Sequence, residues 1–256
     1  VNLLLIEPEE LEGSRARITG PRAEHARLVL RVAVGRRLRV GVVGGPLGEG
    51  EVVRVDAAAV ELALTLEAEV PPRPTLDVVL AVPRPKTLAK LVPDLVSMGV
   101  DRLFLIRTWK VEKPYLESPL LTPEGYLPLL RAGAMQGRLT HLPEVHVAPL
   151  FRPWIEDEAP QLFARAGVRW VLHPTAPGTP ASVAPLPAAE RAVVAIGPEA
   201  GFVDFEVERF AAAGFTPLSL GDRPLRVEVA AVATLAQLEL LRALSATMGG
   251  PSTHGA

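Results

Sequence analysis

Two turns in the C-terminal part of the chain carry the residues best suited to chemistry. The first reads Ile196-Gly197-Pro198-Glu199-Ala200-Gly201-Phe202; the second runs from Leu218-Ser219-Leu220-Gly221 through Pro224-Leu225 to Arg226-Val227-Glu228-Val229. Each follows a short apolar run and precedes a helix-like one. In an open α/β sheet, ligands gather outside the carboxyl ends of the strands, so paired turns of this kind are where a cofactor would lie. Gly197 and Gly201 lack a Cβ, which lets backbone approach a ligand closely. Glu199 has the chemistry to bind a ribose hydroxyl or a cation, and equally to cap a helix starting at Val203. Arg226 offers a planar fork to a carbonyl or phosphate; the alternative is a surface pair with Glu228 of small energetic weight. Residue chemistry leaves both alternatives open. The first turn is not a G-x-G-x-x-G, and no G-x-x-x-x-G-K-[ST] occurs, so neither dinucleotide nor P-loop chemistry is expected.

Such turns need strands behind them, and the hydrophobic pattern supplies two kinds. Residues 37–43, 51–55 and 60–66 alternate at period two between glycine-rich turns, which predicts a small β-rich unit with a strand near Leu3–Ile6 and a helix from Pro21 to Leu30. Pro71, Pro72 and Pro74 then make a stiff connector, so domains are expected at 1–70 and 75–249. Beyond it, apolar runs at 76–82, 103–106, 170–173, 192–196 and 215–220 alternate with helical stretches at 87–98, 123–138, 203–213 and about 227–247. That alternation predicts an α/β domain with a parallel sheet. The last helix is apolar on nearly every side and is expected to lie centrally or at a subunit interface.

Composition narrows the function classes. The 256 residues contain no cysteine and five histidines in no ligand-like spacing, so disulfides, thiolate chemistry and a metal site are not expected. No apolar run looks long enough for a membrane span, and the N-terminus lacks a signal-like basic region, so a cytosolic location is expected. Net charge is −2, yet Arg15, Arg17, Arg22, Arg27, Arg31, Arg36, Arg37 and Arg39 fall within 26 residues alongside one acid, Glu24. A basic block in a slightly acidic chain is the footprint of a polyanion surface; the plainer reading is a solvated face. His173, at a strand end, reads as a loop histidine, and Trp109, Trp154 and Trp170 as packing residues, with Trp109 beside Lys110 and Lys113 placed to touch RNA.

The order G-P-E-A-G-F-x-x-x-E, an apolar strand, then L-G-x-R-x-L-R-x-E resembles the ribosomal RNA small subunit methyltransferase E family, one of the knotted SPOUT methyltransferases. Residues 25–35 (H-A-R-L-V-L-R-V-A-V-G), Met98-Gly99-Val100, and Gln136 and Arg138 with L-P-E-V at 142–145 are similar to further family motifs. The resemblance implies a PUA-like N-terminal barrel that binds RNA and a C-terminal α/β domain with a deep trefoil knot. It also implies S-adenosylmethionine bound in the knot, a homodimer, and methylation of N3 of a uridine in the small-subunit (16S) ribosomal RNA.

Carried over residue by residue, the cofactor loops are Leu172, His173 and Pro174; Ile196, Gly197, Pro198, Glu199 and Gly201; and Leu218, Ser219, Leu220, Gly221 and Leu225. Arg226 and Glu228 are the catalytic candidates: Arg226 to stabilise the uridine anion, and Glu228 to orient Arg226 in preference to accepting the proton, since a carboxylate paired to arginine is a weak base. RNA contact falls to Arg15, Arg17, Arg22, Arg27, Arg31, Arg36 and Arg37. Five positions depart from the family pattern: Ala200 for a glycine, Asp94 and Ser97 for the usual Lys and Glu before Gly99, and Val227 and Val229, which lose two threonine hydroxyls. Those losses motivate a rival reading, a ribosomal RNA-binding or assembly factor that no longer transfers methyl groups.

Overall fold

The computed structural model describes residues 3–28, 31–183, 186 and 190–248. The chain divides into two compact units: Val1–Arg73 with Pro128–Leu142, and Pro74–Leu127 with Pro143–Ala256. Each passage between them falls immediately before a proline, Pro74, Pro128 or Pro143. The segment Pro128–Leu142 therefore differs from the expected 75–249 domain by packing with the N-terminal residues. It is held there by Leu3 N donating to Met135 O, Gly44 N donating to Thr140 O, and an Arg131–Glu7 ion pair at 2.7 Å.

The first unit is a six-stranded sheet in the order β1-β4-β5-β6-β3-β2, with β1 Leu4–Ile6, β2 Leu11–Glu12, β3 Arg15–Thr19, β4 Arg37–Val42, β5 Leu47–Val55 and β6 Ala59–Leu66. All neighbours are antiparallel except β1 and β4. Helix α1, Gly20–Leu28, packs on β3 and β6; the expected helix end at residues 29–30 lies outside the described residues. Leu4, Ile6, Ala16, Ile18, Val40, Val52, Val60 and Leu62 form the core. The run 44–50, expected as a turn, continues β5 from Leu47. A Cβ on Gly48 would lie 2.4 Å from Thr65 O, so glycine there permits a close strand approach. Strand β3 was not expected, because its alternation is carried by Arg15 and Arg17 on the outer face and Ala16 and Ile18 inside.

The second unit is built on a fully parallel sheet in the order β12-β10-β11-β7-β8-β9. Its strands are β7 Leu76–Ala81, β8 Val100–Ile106, β9 Glu144–Ala148, β10 Val168–Leu172, β11 Ala192–Ile196 and β12 Thr216–Leu218. Its helices are α2 Pro85–Ser97, α3 Lys113–Leu116, α4 Pro123–Gly137 (shared with the first unit), α5 Phe151–Pro153, α6 Ala159–Leu162, α7 Asp204–Ala212 and α8 Val227–Met248. A π-helical turn at Trp154–Glu158 joins α5 to α6 and buries Trp154 and Ile155. Every residue of β7 and β11 is buried, as a central strand covered on both faces requires. Strand β9 and the helical stretch 151–162 escaped the pattern reading; β9 is a mostly exposed edge strand whose periodicity is weak.

Helix α8 corrects one expectation. Val227–Thr247 is 21 residues with mean hydropathy 1.4, long and apolar enough by length and composition to cross a membrane. Val227, Ala231, Thr234, Leu235, Leu238 and Arg242 are buried, and α8 packs on α2 and β11. The opposite stripe, Val229, Val232, Leu240 and Leu244, is 39–57% exposed.

Candidate cofactor cleft

The three strands on one side of the sheet end side by side, and the turns that follow them enclose one cleft of about 210 Å³. From β10 come Leu172, His173 and Pro174; from β11, Ile196, Gly197, Pro198, Glu199, Ala200 and Gly201; from β12, Leu218, Leu220, Gly221, Arg223, Pro224 and Leu225, with Val227 and Ala230 of α8. The structure thus brings together the three segments singled out in the sequence, with one exception. Ser219 does not line the cleft. Its hydroxyl donates to Pro174 O at 3.1 Å and its backbone N to Gly178 O at 2.8 Å, so it ties the β12 turn to the β10 turn.

Each turn is shaped by local chemistry. Gly201 takes φ +71° and Gly221 φ +111°, conformations that favour glycine. At Gly197 a Cβ would stand 3.0 Å from Phe202 N and 3.2 Å from Gly201 Cα, so any side chain there would crowd the loop. Glu199 does not cap α7. Its Oε1 accepts from Arg84 N at 3.0 Å, at the start of α2. Helix α7 is capped instead by Glu206, the final glutamate of the G-P-E-A-G-F-x-x-x-E order, to which the sequence had assigned no role. The Glu206 carboxylate is 2% exposed and takes Val203 N on Oε2 at 2.9 Å and Trp109 N on Oε1 at 2.6 Å. Lys110 Nζ donates to Ala200 O at 2.7 Å.

Beside Glu199 the Arg84 guanidinium has its pKa raised, first by a hydrogen bond to Tyr115 and further by Tyr115 and Glu199 charge. The Tyr115 hydroxyl donates to Glu112 Oε1 at 2.9 Å, which raises its own pKa above the ordinary phenol value. His173 Nδ1 lies 3.0 Å from Thr175 Oγ1.

Arg226 is exposed and Glu228 half-buried, and neither lines the cleft, although Leu225 and Val227 on either side of Arg226 do. No hydrogen bond or ion pair joins the two among the described residues; positions two apart at a helix start do not face one another. Neither the surface pair nor the orienting contact is therefore formed within this chain. Arg226 O accepts from Ala230 N at 2.8 Å and opens α8. Of the two valines that replace threonine, Val227 is buried against the cleft and Val229 faces outward.

The N-terminal arginines are placed differently from a single basic patch. Arg17 pairs with Glu61 at 3.9 Å and Arg37 with Glu51 at 3.5 Å across strands; Arg39 pairs with Glu67. Arg22 is half-buried against Glu10 and Glu7 and donates to Leu5 O. Arg27 donates to Asp56 O at 3.4 Å, and Arg36 to the carbonyl of Arg31, which takes φ 50°. Arg15 is exposed on β3. The acids that offset this block come from β5, β6 and the segment before β3, which a linear charge window cannot see.

Comparison with known proteins decides the family. A model of the RNA methyltransferase domain matches residues 71–239. The chain belongs to the RNA methyltransferase domain family. It is 28% identical over 239 residues, 92% of this chain and 90% of the relative, to the ribosomal RNA small subunit methyltransferase E of Treponema pallidum. Among solved structures it is similar to a putative methyltransferase of Legionella pneumophila in complex with SAM (TM-score 0.75, 23% identity, 95% and 98% of the two chains). It is also similar to a ribosomal RNA small subunit methyltransferase E of Neisseria gonorrhoeae bound to S-adenosyl methionine (TM-score 0.75, 15% identity, 93% and 97%). At these identities the structural likenesses establish a shared fold.

Proposed function

We propose that this RNA methyltransferase-family chain uses S-adenosylmethionine to methylate N3 of a uridine in small-subunit ribosomal RNA. One observation carries the reading: the turns after β10, β11 and β12 converge on a single glycine-walled cleft. The cleft fits the donor in kind. Leu172, Ile196, Leu218, Leu220 and Leu225 offer an apolar bed for a base, and the backbone of the turns offers donors and acceptors. Glu199 offers a carboxylate to a cationic ligand. At about 210 Å³ the cleft lies below the usual 300–1,000 Å³ range of ligand pockets, so it encloses part of the donor and leaves the rest at its mouth.

S-adenosylmethionine, when bound, supplies a methyl group already activated on a sulfonium. The protein's task is alignment and the management of one proton. Arg226, held at the first turn of α8, stabilises negative charge on a uridine oxygen as N3 loses its proton. Among the described residues Glu228 carries no guanidinium partner, which favours it as proton acceptor over orienting group. Because the target atom sits in a base edge, the uridine leaves its stack to reach the cleft.

The remaining parts of the reading rest on specific features. The mainly antiparallel N-terminal unit, on which Arg15 and Arg31 are exposed, supports a PUA-like RNA-binding role. The ties from Ser219 to Pro174 and Gly178, followed by the return of α8 onto β11, support a chain threaded as a knot. The exposed stripe of Val229, Val232, Leu240 and Leu244 supports a homodimer, and a ribosomal RNA substrate supports a cytoplasmic location. The cleft keeps its glycines and Glu199 despite Ala200, Val227 and Val229, so an RNA-binding factor without transfer is not favoured. Incubating the purified chain with S-adenosylmethionine and small subunits from a strain lacking it, then mass-mapping the RNA, tests the reading. One new methyl at a uridine N3 is expected, and an unmodified RNA would overturn it.

A further inference from the structure

Trp109 has no role in the cleft, yet it is 84% exposed while Trp154 and Trp170 are each 2% exposed. It lines an apolar groove of about 540 Å³ with Phe151, Arg152, Val203, Phe205 and Glu206, and Phe205 is itself 45% exposed. Two large aromatic faces left in water on one groove are not explained by packing, since burial of such rings is favourable.

The groove is tied to the cleft through covalent and hydrogen-bonded neighbours. Glu206, buried beneath it, holds Trp109 N and Val203 N together, and Val203 directly follows the turn of residues 197–202 that walls the cleft. Lys110, next to Trp109, donates to Ala200 O in that same turn. Three cations stand around the groove, two of them already paired with a carboxylate. Arg209 Cζ stands 5.0 Å from the Phe205 ring centroid, and Arg209 and Arg152 share one carboxylate, Glu156, at 3.7 and 3.0 Å. Lys110 adds a third cation, whereas both oxygens of Glu206 face inward and are taken by backbone N–H groups. Asp204 and Glu208, on α7, are the exposed acids nearest Phe205 in the chain.

We propose that Trp109 and Phe205 form a stacking platform for an unpaired nucleobase of the RNA substrate, next to the nucleotide presented to the cleft, with Lys110, Arg152 and Arg209 receiving its phosphates. This rests on the methyltransferase reading above and adds a recognition element outside the cofactor cleft. Stacking on an aromatic face is sequence-tolerant, and its loss typically weakens binding about 5- to 150-fold per base. Trp109 is a positioning residue for the substrate, not a catalytic one.

Because the other two tryptophans are buried away from any bound base, a change in intrinsic fluorescence on adding RNA reports mainly on Trp109. Titrating the full chain with a single-stranded RNA oligonucleotide should quench and saturate the emission, and Trp109→Ala should abolish that response. In methyl-transfer assays Trp109→Ala should raise KM for RNA about 10- to 100-fold. The turnover at saturation and the affinity for S-adenosylmethionine should stay within about threefold, and Trp109→Phe should recover most of the loss, since a ring face suffices. RNA binding without quenching, or an unchanged KM in Trp109→Ala and Phe205→Ala, would overturn the platform. So would an emission that shifts with protein concentration and not with RNA, which would assign the groove to a second copy of the chain. If the RNA quenches but wild-type protein methylates no RNA, the platform stands and the methyltransferase reading falls.

Discussion

The two ends of the parallel sheet are built from opposite materials. At the N-terminal ends of β7, β8 and β11, side-chain charges close the structure. Asp77 is fully buried between Arg102 and Arg191, Arg191 also reaches Asp101 at 2.8 Å, and Arg242 donates to Thr75 O and Glu190 O. The hydrogen bond that Arg102 donates to Asp77 raises the pKa of Arg102, keeping its charge in place over the Phe104 and Phe163 rings. At the C-terminal ends of β10, β11 and β12, backbone turns and glycines leave a cleft, with carboxylates used to pin loops and not to fill space. Charge networks that satisfy one another rigidify; unpaired backbone turns leave groups and room for a ligand.

Substitutions at the two ends should therefore separate function from stability. The largest expected effect is Arg226→Ala, which should lower methyl transfer about 10²- to 10³-fold with donor affinity unchanged, read by single-turnover kinetics against calorimetry. An equal loss in donor affinity would move Arg226 from the acceptor side to the cofactor. At the other end Asp77→Ala takes the buried carboxylate from Arg102 and leaves Arg191 only Asp101, and should cost roughly 3 kcal/mol in urea denaturation, a figure kept to the lower part of the usual range because Arg191 retains a partner and Arg102 and Arg191 are 18% and 26% exposed. Donor affinity of the folded fraction should not change; if it fell in step with stability, the two ends would be coupled.

Smaller effects should sharpen the contrast. Glu206→Gln keeps shape but weakens the acceptor for Trp109 N and Val203 N, and should cost about 1–2 kcal/mol while loosening the turn that walls the cleft. Hydrogen exchange at those two amides is the measurement, with faster exchange expected at both. On the exposed stripe of α8, Leu240→Glu should shift sedimentation toward monomer without unfolding the chain. Ala200→Gly should change donor affinity by no more than a few-fold, because Ala200 is exposed at the cleft wall.

What could be read beforehand follows from the physics of each signal. Strand β11, with its unbroken run of apolar residues between loops, was legible to the residue, and the turns after β11 and β12 were legible because glycine and proline mark their bends, whereas the turn after β10 was expected only from the family resemblance. Edge strand β9 was not, since one exposed face and an exposed Val147 blur its alternation. The pairing within the basic block around Arg15–Arg39 was not legible as a linear feature, because the acids Glu51, Glu61 and Glu67 that meet Arg37, Arg17 and Arg39 arrive through strand pairing. The role of Glu206, the last residue of the G-P-E-A-G-F-x-x-x-E order, was illegible for a different reason. A glutamate in an acidic helix start looks like any solvated residue, and only the fold reveals that it clamps a backbone amide 97 positions away. Likewise the role of Arg226 and Glu228 as a pair did not survive, because i and i+2 diverge at a helix start.

The central claim is that the turns after β10, β11 and β12 hold the methyl donor. Calorimetric titration of S-adenosylmethionine into wild-type protein and into Gly197→Ala, whose added Cβ would crowd Phe202 N at 3.0 Å, tests it most directly. The account predicts one saturable site per chain in the wild type, competed by S-adenosylhomocysteine, and at least about tenfold weaker binding in a folded Gly197→Ala protein. No binding to the wild type, or equal affinity for both proteins, would contradict it.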